Sequence, residues 1–159
     1  MLDKHLLVEL QVYIERNLNI LTYSMMESNE IHSIEIEDFI KNKRQPTFNQ
    51  TLFKLIDKKG AGDTETYKKA GLDRRHFSKI RSNPEYRPRK NTVVALALAL
   101  ELNKKETDKL LSSAGYSLSD SETFDLVIQF CLEKKIYDVH DVNQALDYFR
   151  LKPLIGVLE

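Results

Sequence analysis

With 159 residues, 42% of them hydrophobic, and only five glycines and four prolines, the chain is long enough for a core of ordinary size and too apolar to stay disordered. A single cysteine, Cys131, excludes an intramolecular disulfide and any multi-cysteine zinc site. The formal net charge of zero hides an asymmetry: residues 1–40 carry a net −6, residues 41–90 a net +10 and residues 91–159 a net −4. A cationic middle flanked by acidic parts reads either as a polyanion-binding segment or as lysines and arginines that merely solvate helix surfaces.

The start of the chain, with Asp3 and Glu9 among its leucines, lacks the basic n-region and apolar run of a signal peptide. No run approaches the roughly 18 apolar residues of a membrane span, so a cytoplasmic protein without membrane contact is expected. Residues 2–17 predict an amphipathic helix with Leu2, Leu6, Leu10, Tyr13 and Asn17 on one strip and Leu7 and Ile14 beside it. In residues 18–40 the isoleucines Ile31, Ile34, Ile36 and Ile40, with Phe39, fit a short strand or a helix, and the period does not choose. Pro46 biases Gln45 away from helix, which sets a boundary between a segment 1–45 and a domain from residue 46.

Beyond Pro46, Phe48, Leu52, Leu55 and Ile56 form a helical stripe ended by Gly60. A second helix is expected from a cap at Asp63 or Thr64 to Ala70, stopped by Gly71, and a third from an Asp73 cap to about Ser82 with Phe77 and Ile80 inward. A fourth helix, Thr92 to Leu102, is nearly all apolar, with Val93 to Leu100 uninterrupted, and a helix apolar on every side belongs in the middle of a core. The sequence Asn103-Lys-Lys-Glu106 is a capping box for a fifth helix carrying Leu110 and Leu111. After Gly115, Ser119 or Ser121 would cap a helix bearing Phe124, Val127, Ile128, Cys131 and Leu132. A last helix, about Val139 to Phe149, precedes a tail marked by Pro153 and Gly156. The organisation read from this is all-α: a segment 1–45, a domain 46–116 and a C-terminal helical extension 117–159.

Two short helices meeting at a glycine turn, Asp63 to Ala70 and Asp73 to Ser82 around Gly71, are the geometry that presents a helix to the major groove. Ala70-Gly71-Leu72, Phe77-Ser78-Lys79-Ile80, Val93 to Leu102 and Glu106 to Leu111 together resemble the lambda-repressor-like, or XRE-type, helix-turn-helix family over about residues 47–112. The resemblance implies a five-helix core and a DNA-binding transcriptional regulator, often a dimer, whose third helix (about 73–82) enters the major groove of double-stranded DNA. The chain departs from the family in three places. Tyr67 stands where a small alanine is usual, Asp63 where a phosphate-contacting glutamine is usual, and Asn83 where a glycine is usual.

Arg74, Arg75, Ser78 and Lys79 fall on the outer side of the third helix, and an arginine there suits a bidentate contact with guanine. Arg81, Arg87, Arg89 and Lys90 follow as a cluster suited to phosphate. His76 is ambiguous between packing and contact. No catalytic signature accompanies them. The four histidines stand in no metal-ligand spacing, Gly60-Ala-Gly62 lacks the strand and third glycine of a nucleotide loop, and Cys131 lies on an apolar helix face. No enzyme activity, cofactor or metal is expected. Two rivals use the same fold: a protein-interaction module (an antitoxin, or a phage- or defence-associated adaptor), and an RNA binder, disfavoured because Phe77 and Tyr86 make no stacking platform. The acidic flanking helices are candidates for a homodimer or a protein contact.

Overall fold

The structure, a computed structural model, describes residues 3–154, with the side chains of residues 19–31 excepted; Leu2 and Gly156 lie outside the described residues. All regular structure among these residues is helical, in eight α-helices with no strand. The chain falls into two compact units, Met1–Arg44 and Gln45–Glu159.

The first unit is one helix, α1 (Lys4–Lys43). It runs unbroken through the stretch whose isoleucines left strand and helix open. No glycine or proline interrupts it before Pro46, and β-branching alone lowers helix propensity only slightly. Forty residues at about 1.5 Å each make it about 60 Å long. Lys41 and Lys43 in the last turn oppose the partial negative charge of its carboxyl end. Among its described side chains, Leu6, Leu7, Leu10, Tyr13, Ile14, Ile36, Phe39 and Ile40 are all exposed, Tyr13 at 66% and Phe39 at 63%.

The second unit is built from α2 (Phe48–Lys59), α3 (Asp63–Ala70), α4 (Arg74–Ser82), α5 (Lys90–Ala99), α6 (Lys104–Ser113), α7 (Thr123–Glu133) and α8 (Val139–Tyr148). Its axis is α5, in which every side chain from Thr92 to Ala99 is buried, as an all-round apolar helix requires. Around it pack α3, α6 and α8; α2 and α7 lean on α6. The C-terminal helices share this core, for Val127, Ile128, Cys131, Val142 and Leu146 belong to the same buried cluster as Leu52, Ile80 and Leu96. Burial pushes the Cys131 thiol up, which keeps it an inert core residue.

Local chemistry sets the helix ends. Thr47 with Gln50 and Asn103 with Glu106 close reciprocal capping boxes, and Asp73 accepts the His76 N–H at 2.6 Å. Gly60 and Gly71 end α2 and α3 in the left-handed conformation, φ 66° and 75°. Two expected caps are different. The N-cap of α3 is Gly62, with no side-chain acceptor, so Asp63 is the first helical residue and its carboxylate is free to reach elsewhere. The N-cap of α7 is Glu122, not Ser119 or Ser121; the Ser119 N–H donates at 2.7 Å to Asp125, one turn into the helix. Asn83 ends α4 in an extended conformation, φ −117°.

Candidate nucleic-acid interface

α4 is held at the surface by one face. Phe77 and Ile80 are buried, Phe77 meeting the rings of Tyr67 at 5.6 Å and Phe53 at 6.0 Å. Tyr67 therefore fills the space between α3 and α4 as an aromatic wedge. The carbonyls at the carboxyl end of α4 are tied to α2 by Asn49, whose amide nitrogen donates to Ile80 O at 2.8 Å and Arg81 O at 3.3 Å. With its inner face anchored, α4 leaves Arg74, Arg75, Ser78 and Lys79 exposed on the outer one.

The eight residues expected at the interface divide into two groups. Arg74, Arg75, Ser78 and Arg89 are exposed and make no ion pair among the described residues, and Lys79 only overlies the Tyr86 ring, its Nζ 5.2 Å from the centroid. The other three are engaged within the chain. Arg81 forms an ion pair with Asp63 and lies 4.7 Å over the Phe53 ring, so the carboxylate that would have repelled a phosphate offsets a cation instead. Arg87 folds back on Tyr116, 4.8 Å from the ring, and lies so close to Gly115 that a Cβ there would meet its Nη2 at 2.7 Å. Lys90 donates at 2.8 Å to both oxygens of Asp125, a carboxylate only 1% exposed. Asp125 also holds the Ser119 N–H, so Lys90 ties α5 to the segment that leads into α7. An unpaired buried carboxylate is costly, which makes this lysine a structural partner before it is a phosphate contact.

His76 is half-buried, its Nε2 3.3 Å from the Tyr86 hydroxyl and the two rings in edge contact at 6.1 Å. The pair stiffens the loop between α4 and α5, as does Tyr116, whose hydroxyl donates to Pro88 O at 2.9 Å. Beside α4 opens a cleft of about 1180 Å³, lined among others by Arg75, His76, Lys79, Tyr86, Arg89 and Lys152. Lys152 carried no signal in the sequence. It comes from the far end of the chain, and only the docking of Leu154, buried and donating its N–H to Asn143 at 2.8 Å, brings it there.

Among the described residues no helix is long and apolar enough to cross a membrane, and no group of three or more His, Cys, Asp or Glu side chains is placed to hold a metal ion. No family model matches the chain, and no curated protein or solved structure matches it.

Proposed function

We propose that the chain is a DNA-binding transcriptional regulator of the helix-turn-helix, lambda-repressor-like type, with α4 as the helix that enters the major groove. One observation carries this reading: α4 is anchored by Phe77 and Ile80 while Arg74, Arg75, Ser78 and Lys79 stand exposed along its opposite side. Arginines near the amino end of such a helix reach base edges, and a bidentate arginine–guanine contact discriminates by about 1–3 kcal/mol. Arg89 adds charge for phosphate. The turn at Gly71 and the buried α5 support the same fold type. In a mobility-shift assay with the gene's own upstream region, Arg74→Ala/Arg75→Ala should lose sequence preference over competitor DNA. An unchanged preference would overturn the reading.

The exposed apolar side chains of α1 fit a dimer of the whole chain. A lone helix in water gains little from its own hydrogen bonds, and most helix stability comes from a covered face. Leu7, Leu10 and Ile14 share one side of α1, and a second copy of the chain carries the same strip. The same surface favours the rival reading, an adaptor or antitoxin that binds protein rather than DNA. Sedimentation separates them: a dimer that Leu7→Ala/Leu10→Ala/Ile14→Ala makes monomeric supports self-association, and a wild-type monomer contradicts it.

A further inference from the structure

We propose that the cleft beside α4 is a binding site for a free polyphosphate-bearing small molecule, a nucleotide in size and charge. Its cations converge from three separate parts of the chain: Arg75 and Lys79 from α4, Arg89 from the loop before α5, and Lys152 from the C-terminal tail. Arg75, Arg89 and Lys152 are exposed and make no ion pair among the described residues, while Lys90, also on the wall, is already matched by Asp125. Asp73 is the one carboxylate on the lining, and its Oδ1 is occupied by the His76 N–H. Four cations, Arg75, Lys79, Arg89 and Lys152, against that one carboxylate leave the cleft net positive, a potential that attracts a multivalent anion.

A second feature points the same way. α5 begins on this wall, with Lys90, Asn91 and Thr92 lining the cleft, and its N-cap Arg89 offers no side-chain acceptor to the first-turn N–H groups. A ten-residue helix whose amino end is uncapped and faces a cationic cleft is suited to a phosphate oxygen. The half-buried Tyr86 and His76 supply an aromatic wall, and Leu72 and Leu154 an apolar one. The volume exceeds what one phosphate needs and accommodates a nucleotide. The inference goes beyond the DNA reading: three of these cations also stand in the proposed interface, so an occupied cleft would compete with a phosphodiester for them.

The test is calorimetric titration of the full chain at low salt with ATP, tripolyphosphate and adenosine, beside a duplex-binding assay. ATP and tripolyphosphate should bind and adenosine should not. Arg89→Ala/Lys152→Ala should weaken both polyphosphates by roughly tenfold or more, while Lys105→Ala/Lys109→Ala on α6 leaves them unchanged. Absence of ATP and tripolyphosphate binding at about 1 mM would overturn the proposal, as would equal weakening by the α6 pair. If the Arg89 and Lys152 changes impair only duplex binding, the cleft serves the phosphodiester of a strand, and the free-anion proposal fails while the DNA reading stands. Polyphosphate binding by a chain that binds no duplex supports the cleft and sinks the DNA reading.

Discussion

α1 and α5 are both rich in apolar residues, yet they sit at opposite limits of exposure. Every side chain of α5 from Thr92 to Ala99 is inside, whereas α1 leaves Leu6, Leu7, Leu10, Val12, Ile14 and Phe39 each about half or more exposed. The difference lies in what surrounds them. The run of α5 carries no charge between Thr92 and Leu100 and must be enclosed on all sides. α1 interleaves its leucines with Glu9, Glu15, Arg16, Glu35, Glu37 and Asp38, so some part of its circumference always faces water. A helix of the first kind organises a core, and one of the second kind offers a face to something else.

The largest effects should come from breaking α5. Leu96→Ala empties a fully buried site and should cost about 2–5 kcal/mol of unfolding free energy in a denaturant titration. Leu10→Ala in α1, half exposed, should move the same transition by about 0.5 kcal/mol or less. Similar losses from both, at protein concentrations where the chain sediments as a monomer, would contradict the exposed state of Leu10.

Next comes the joint that binds the C-terminal helices to α5. Asp125→Asn weakens the acceptor for Lys90 and Ser119, and hydrogen bonds to charged groups are worth about 1.5–3 kcal/mol. Amide exchange should rise in α7 before it rises in α3. Thr107 of α6 offers the opposite sign: its hydroxyl is buried without a hydrogen-bond partner among the described residues, so Thr107→Val should raise stability by about 1 kcal/mol.

The smallest effect concerns Glu106, which ties α6 to Lys58 and Lys59 of α2. Burial opposes its charge, but the Asn103 N–H and the two lysines outweigh that and hold the carboxyl below its usual 4.5. A carboxyl with a depressed folded pKa stabilises fully above pH 4.5 and loses that contribution as pH falls through the lower, folded value. Glu106→Gln keeps the cap geometry and removes the charge. It should cost about 0.5–1 kcal/mol near neutral pH and flatten the acid limb of the stability curve below 4.5. An unaltered acid limb would contradict the assignment.

Much of the second unit was legible because its signals are local. Val93–Leu100 is apolar without a break and is buried throughout, the Asn103–Glu106 box is four residues long, and Gly60 and Gly71 mark left-handed helix ends. Other ends were not legible, because Glu101, Lys135 and Arg150 take left-handed φ of 54°, 57° and 59° without being glycine. The fate of α1 was ambiguous because period alone does not separate a strand from a helix in a short isoleucine-rich run. At the candidate interface, exposure of Arg74, Arg75, Ser78 and Lys79 followed from the helical period. The pairing of Arg81 with Asp63 and Lys90 with Asp125 did not, since it joins residues 18 and 35 positions apart. Lys152 is the extreme case, delivered to the cleft only by how the tail packs.

The most direct test of α4 as the DNA-contacting helix is the salt dependence of duplex binding by fluorescence anisotropy, wild type against Arg74→Ala/Arg75→Ala. Each phosphate neutralised contributes about −0.9 to the slope of log K against log salt, so the four exposed cations Arg74, Arg75, Lys79 and Arg89, whether at base edges or phosphates, set an upper bound of about −3 to −4 per chain. The double variant should bind more weakly, with a shallower slope and little preference among sequences. Equal slopes and affinities for the two proteins would contradict the account.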